Sequence, residues 1–137
     1  MARESGIRLV TPIPGPRSRA LAARRDAAGA RGAARLTDVA IVSGSGALVE
    51  DADGNRLLDF AGGIGSLAVG HAPHQVVAAL RDQAEKLIHM CGIVASYEPQ
   101  VQLLERLVAI APGAFPKKAV LLNSGAEAIE TCVKIAR

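Results

Sequence analysis

Ala119-Val-Leu-Leu122 runs straight into Asn123-Ser124-Gly125, and an amphipathic stretch follows as far as Arg137. This succession constrains the possible fold more than any other part of the chain. Four apolar residues between Lys117-Lys118 and a turn suit a strand buried on both faces, as in a parallel sheet. Past the turn, Ile129, Cys132, Val133 and Ala136 recur at helical spacing, with Glu130, Lys134 and Arg137 opposite them. Ser124 stands three residues before Glu127, the capping-box spacing, so its hydroxyl can accept from the Glu127 amide while the Glu reaches back. The expected unit is strand, tight turn, helix. Such a turn sets unpaired N–H groups and the positive end of a helix dipole at the carboxyl edge of a sheet, where anions bind. Gly125 has no Cβ to hold an anion away. Many strand–helix turns carry a Ser cap and a Gly without binding anything, so these residues alone leave both readings open.

Upstream, the chain is punctuated by Pro and Gly. Thr11-Pro-Ile-Pro-Gly-Pro16 reads as an arm, and a short helix is expected over Arg17–Ala28. Ala47–Glu50 and Arg56–Phe60 read as the strands of a hairpin, with turn chemistry at Asp53-Gly54-Asn55. A glycine-rich loop, Gly62 to Gly70, comes next. Pro73 opens a helix whose apolar face is Val76, Val77, Leu80, Ala84, Leu87 and Ile88. Pro99 opens another, with Val101, Leu104, Val108 and Ala111 on one face, and Pro112-Gly113 closes it.

Composition excludes several classes. The 137 residues suit one ordinary domain, and no apolar run is long enough to cross a membrane. The net charge is +3, and its excess sits in residues 1–35, where eight Arg face two acids. Only three aromatic residues are present, and none interleaves with the basic ones, which speaks against nucleic acid. Cys91 and Cys132 stand alone, without disulfide or metal-ligand spacing, and read as reduced packing residues.

Gly63-Ile64-Gly65-Ser66-Leu67-Ala68 fits G-x-G-x-x-A after a strand-like run, the pattern of a dinucleotide fingerprint. The context fails. Gly70 and Pro73 interrupt the helix that the fingerprint must open, and Asp82 and Glu85 fall inside a helix rather than at a strand end. A tight crossing built from small residues is the plain alternative. His74 and His89 read as helix-surface or packing residues. No acid or Ser is placed in the sequence to complete a triad with any of the three histidines.

"NSGAEAIETCVKIAR" resembles the phosphate-binding segment of class III pyridoxal-phosphate aminotransferases, the family of 4-aminobutyrate, ornithine and acetylornithine aminotransferases. "LVTPIPGPRSRALAARR", "VEDADGNRLLDFAGGIGSLAVGHAPHQVVAAL", "YEP" and "PGAFPKK" extend the likeness, in order, to the amino-terminal third of a 4-aminobutyrate aminotransferase. The resemblance implies a fold of the α/β class: an amino-terminal fragment of a fold type I, aspartate-aminotransferase-like transferase with an incomplete parallel sheet. It divides the chain into an arm and short helix (1–35), part of the small domain (36–95) and the start of the large cofactor-binding domain (96–137). It assigns Ser124, Gly125 and Ala126 to the phosphate of pyridoxal 5'-phosphate and Ile64 to the border of the substrate pocket. His71 matches the family's Gly-His pair, a loop-forming role rather than a catalytic one.

The implied reaction moves an amino group from 4-aminobutyrate to 2-oxoglutarate, in a full-length homodimer or higher homo-oligomer with no nucleic acid or membrane partner. The Arg- and Ala-rich start also fits a mitochondrial transit peptide, but Leu9 to Arg25 matches the mature start of bacterial relatives, so a cytoplasmic bacterial protein is expected. This chemistry needs a Lys to anchor the cofactor and an acid on its ring nitrogen. Lys86, Lys117, Lys118 and Lys134 are expected on helix surfaces or at a strand entry, not where the family places its Schiff-base Lys. The ending at Arg137 therefore reads as a truncation, and the 137 residues alone as inactive. Gly92-Ile93 after Cys91 depart from close relatives, which leaves ornithine, acetylornithine or another ω-amino acid open as donor. A non-catalytic fragment that binds an anion or a partner subunit is the reading from another class.

Overall fold

The computed structural model describes residues 6–137; the first five residues of the expected arm lie outside the described residues. The chain divides into two compact units, one ending at Gln83 and the other beginning at Ala84. No described helix is long and apolar enough to cross a membrane.

The first unit is organised around a three-stranded antiparallel meander, β1 (Ile41–Ser45), β2 (Leu48–Asp51) and β3 (Arg56–Leu58), in the order β1-β2-β3. Val49 faces Gly44 on one side and Leu57 on the other, and the β1–β2 register slips between Ile41 and Ser43. The β2–β3 hairpin occupies the expected segments: β2 is shifted by one residue, and β3 starts at Arg56 as expected but ends two residues early. β1 was not expected. Its Ser43-Gly44-Ser45 carries no alternating apolar signal, and it is held as a strand only by pairing with β2. Gly46 opens the two-residue turn between them at φ 57°, a first position where type II′ hairpins require glycine.

Few apolar side chains are buried here: Ala40 and Val49 are, whereas Ser18, Asp51 and Asn55 are almost wholly enclosed. These three belong to a polar cluster that ties the arm, the helix α1 (Pro16–Ala28) and the hairpin turn together. Asn55 Oδ1 accepts from the amides of Val10 (2.6 Å) and Thr11 (2.9 Å), while its Nδ2 donates to Thr11 Oγ1 (2.9 Å) and Asp51 Oδ2 (2.7 Å). Asp51 Oδ1 accepts from the amides of Asp53 and Asn55. Arg8 and Arg56 exchange backbone hydrogen bonds beside the cluster.

Asp53 caps α1 from across the fold. Gly15 precedes Pro16 and supplies no side-chain cap of its own. The Asp53 carboxylate accepts from the amides of Arg17 (2.8 Å) and Ser18 (2.9 Å) and from the Ser18 hydroxyl (2.7 Å). An orphaned helix start is thus satisfied by a residue 35 positions away. A Cβ at Gly15 would come within 2.3 Å of the Asp53 carboxyl carbon, so glycine is needed for that approach. Every buried side-chain nitrogen or oxygen among the described residues has a partner.

α2 (Gly62–Gly65) is a single turn in the glycine loop, and α3 (His74–Lys86) follows Pro73 as expected. α3 ends before Leu87 and Ile88, so these two predicted face residues lie past it. In the second unit α4 (Glu98–Ile110) begins just before Pro99 and stops ahead of Pro112-Gly113. Its end is held by Lys117, whose ammonium donates to the carbonyls of Ala111 (2.7 Å) and Gly113 (2.6 Å) and lies 5.5 Å from the Phe115 ring centre. A cation over the last carbonyls also suits the negative end of the helix dipole.

Two expectations are corrected. Ala119–Leu122 forms no ladder: the segment is irregular, and Val120 is 61% exposed. A strand is completed by its neighbour, and among the described residues no parallel neighbour is paired with it. Cys132 is exposed rather than packed, as is Cys91. Cys132 shares its face of α5 (Gly125–Ala136) with the exposed Ile129 and Val133, so that stripe has the expected period but no described cover.

The polar cluster predicts two responses. Asn55→Ala should orphan the Val10 and Thr11 amides and lower the unfolding free energy by at least about 1–3 kcal/mol, read from urea midpoints. Partial burial pushes the Asp53 carboxyl up, but hydrogen bonds from the Ser18 hydroxyl and the Arg17 and Ser18 amides outweigh it and hold it below its ordinary value. Its contribution is therefore complete above about pH 4 and lost as pH falls through the lowered folded value. Asp53→Asn should melt earlier at neutral pH and show a flatter decline in melting temperature below pH 4.

Candidate functional site

The turn before α5 has the expected cap. Ser124 lies in extended backbone, its Oγ accepts from the Glu127 amide at 3.2 Å, and its carbonyl accepts from Ala128 at 3.0 Å. Glu127 does reach back, but to the amide of Asn123 (2.9 Å) rather than to that of Ser124. The acid is thereby tied to the residue before the cap. No described residue accepts from the amides of Gly125 and Ala126. A Cβ built at Gly125 meets nothing within 4 Å, so this chain's own packing does not require glycine there.

These features fit a phosphate. Two unpaired N–H groups at the start of a 12-residue helix supply donors and positive potential, and an open face over Gly125 supplies room. A groove of about 600 Å³ in the same unit is lined by Met90, Cys91, Gly92, Tyr97 and Gln100, and by Ala119 through Asn123.

The second predicted place lies in the other unit. Gly62, Gly63, Ile64 and Gly65 have φ of 48°, 61°, 56° and 79°, four successive residues on the left-handed side. Three glycines take this conformation freely, but Ile64 does not. A β-branched residue in that region costs on the order of 1–3 kcal/mol and persists only where its surroundings impose it. Ile64 is also 95% exposed. Its side chain therefore gains almost no burial within the described chain to offset the strain.

The turn is held from outside. Asp59, just past β3, accepts the Ala61 and Gly62 amides on Oδ1, each at 2.9 Å. Its Oδ2 meets His71 Nε2 at 2.7 Å. A carboxylate only accepts, so Nε2 carries the proton. The His71 hydrogen bond, followed by that from the Gly62 amide, holds the Asp59 carboxyl below its ordinary value. The sequence alone does not reveal this pairing, since it places no acid or Ser to complete a triad with any histidine. Asp59 and His71 are 12 positions apart, and they meet because the glycine loop returns on itself. Asp59, Gly62, Leu67, Gly70 and His71 line a hollow of about 320 Å³ with Gly46 and Ala47. His74 and His89 are exposed.

Lys118 is exposed, and the other three lysines sit at identifiable places in the fold. Lys117 is held by carbonyls, Lys134 pairs with Glu130 at 2.8 Å on the surface of α5, and Lys86 ends α3.

The chain is similar over most of its length to known proteins. The family profile described as "Aminotransferase class-III" matches residues 28–137. A 4-aminobutyrate aminotransferase of Mycobacterium tuberculosis (strain ATCC 25618 / H37Rv) is 48% identical over 130 residues, 95% of this chain and 29% of its own. A 5-aminovalerate aminotransferase of Pseudomonas aeruginosa is 44% identical over 114 residues, 83% of this chain and 27% of its own. The crystal structure of N-acetylornithine aminotransferase from Stenotrophomonas maltophilia K279a superposes with a TM-score of 0.68 at 34% identity, covering 82% of this chain and 28% of that one. The chain thus spans less than a third of the length of the relatives it matches. Matched by the family profile over all but its first 27 residues, the chain belongs to the class III aminotransferases, a family of pyridoxal-phosphate enzymes with the fold type I architecture.

Proposed function

We propose that these residues are the amino-terminal part of a 4-aminobutyrate aminotransferase, which transfers the amino group of 4-aminobutyrate to 2-oxoglutarate with pyridoxal phosphate. The observation that carries this reading is the start of α5, where an open glycine and two amides without a described acceptor fall in the segment that resembles the family's phosphate-binding turn. In this reading the Gly125 and Ala126 amides, with the Ser124 hydroxyl beside them, hold the phosphate, and Ile64 borders the amino donor. The cofactor, when bound, supplies an electron sink for cleavage at the carbon that bears the amino group. This chain's part is to grip one end of it and to shape one wall of the donor site. The relative named for 5-aminovalerate supports a second reading, a donor one methylene longer.

In this reading none of Lys86, Lys117, Lys118 and Lys134 is the Lys that anchors the cofactor. The 137 residues incubated with 4-aminobutyrate, 2-oxoglutarate and pyridoxal phosphate should form no glutamate above a protein-free control, and protein-dependent glutamate would overturn this.

In the full-length enzyme, Gly125→Val should put a branched side chain over the two amides and weaken cofactor binding roughly 10–100-fold, the loss of one charge-assisted hydrogen bond. Ala126→Ser should be mild. Ser124→Ala should lie between, with about 0.5–2 kcal/mol of stability lost through the cap. Cofactor titration by absorbance, beside melts of the apo proteins, separates grip from stability. Normal cofactor affinity in Gly125→Val with an unchanged apo melt would move the phosphate elsewhere.

Replacing Ile64 with Ala or Phe should change relative kcat/KM between 4-aminobutyrate and 5-aminovalerate by about tenfold, the scale of one methylene in an apolar pocket. A flat donor profile would leave Ile64 as a loop residue only.

A further inference from the structure

The loop that carries Ile64 is closed by one carboxylate. Asp59 receives the two amides that begin the left-handed turn, and its other oxygen receives the imidazole at the loop's far end. His71 is itself fixed by backbone: its amide donates to the Gly46 carbonyl at 2.8 Å and its carbonyl accepts from the Gly46 amide at 3.0 Å. That bridge ties it to the β1–β2 turn. Two glycines make room for it. A Cβ at Gly44 would lie 2.7 Å from His71 Cγ, and one at Gly70 would lie 2.7 Å from the Gly46 carbonyl oxygen. The imidazole therefore lies close against the Gly44 backbone, and from there Nε2 reaches Asp59. Within the loop, Leu67 donates to the Gly62 carbonyl at 2.9 Å and the Ser66 hydroxyl to the Gly63 carbonyl at 2.8 Å. Asp59 and His71 are largely shielded, with side chains 17% and 26% exposed, whereas Ile64 stands free at the tip.

We propose that the Asp59–His71 pair is a specificity-positioning device: by locking both ends of the 62–70 loop to the β1–β2 hairpin, it fixes the strained turn that presents Ile64 and so sets the length of ω-amino acid the full-length enzyme accepts. This rests on the reading of Ile64 as a wall of the donor pocket. Neither residue touches the donor in this scheme. Each acts through the backbone that positions Ile64. The carboxylate supplies the only side-chain acceptor for the Ala61 and Gly62 amides among the described residues. Freed from His71, it can swing, and the left-handed conformation of Ile64 loses what imposes it.

The test compares three variants of the full-length enzyme. His71→Phe keeps a ring over Gly44 but has no N–H; His71→Gln restores a side-chain N–H donor; Asp59→Asn is isosteric and covers the case of a misfolded ring variant. Hydrogen exchange of the peptide spanning residues 60–67, read by mass spectrometry on the cofactor-free enzyme, should be roughly tenfold faster in His71→Phe, as expected for one lost hydrogen bond. In the same variant the ratio of kcat/KM for 4-aminobutyrate over 5-aminovalerate should shift about tenfold, through KM rather than kcat. His71→Gln should recover most of both effects, and Asp59→Asn should move both in the direction of His71→Phe. Unchanged exchange would show that the pair does not hold the loop. Faster exchange with an unchanged donor ratio would show that the loop does not set specificity. Either result overturns the proposal. If Ile64→Ala also leaves the donor profile flat, the reading of Ile64 fails as well; if Ile64→Ala shifts it while His71→Phe does not, only the role of the pair falls.

Discussion

The first unit is held together by a carboxylate and an amide side chain rather than by a hydrophobic core. Asp53 and Asn55 sit one residue apart in a hairpin turn, and between them they satisfy the start of α1, the backbone of the arm and the buried Asp51. Only Ala40 and Val49 are buried apolar residues among those described. Little area is removed from water, so the unit relies on directional bonds whose loss leaves buried groups unpaired. Gly15 and Gly54 are conditions of this arrangement. One lets the carboxylate approach the helix start, and the other turns the chain at φ 86° so that Asp51 and Asn55 face each other.

The same turn places the glycine loop that follows it in the first unit. β3 leaves the cluster and delivers Asp59 to the mouth of the glycine loop, and β1 and the turn after it carry Gly44 and Gly46 beside the loop's return. The loop is then closed by His71. Strain at Ile64 is tolerated because hydrogen bonds on both sides over-determine the backbone there, a common arrangement where a side chain must be offered to something other than its own fold. The exposed, left-handed Ile64 is thus the local consequence of a polar framework built elsewhere.

In the second unit the balance is reversed. α4 and α5 have clear apolar stripes, yet Val101, Ile129 and Val133 are exposed, and Ala119–Leu122 lacks a ladder. An amphipathic helix or an apolar strand states which face wants cover, not what provides it. The relatives are more than three times as long as the matched segment, and no described residue covers these faces. Local devices need no such cover: the Ser124 cap and the Lys117 clamp on the end of α4 use only neighbours in sequence.

What the sequence determined by itself follows from short range. Pro73 and Pro99 marked helix starts, Asp53-Gly54-Asn55 marked a hairpin, and Ser124 with Glu127 marked a cap, because each depends on backbone chemistry within about four residues. The wording of the Ser124–Ala126 turn and of the Gly62–Gly70 loop also identified the family and both candidate places. Tertiary structure alone decided the rest. It made β1 a strand by pairing Ser-Gly-Ser with β2, brought Asp59 to His71, and set Asp53 on a helix start 35 positions away. These are partnerships between distant residues whose types are individually unremarkable, and no period or spacing encodes them. Ala119–Leu122 is the counterpart: a strand-like sequence that stays irregular, since a strand exists only where a neighbour exchanges hydrogen bonds with it.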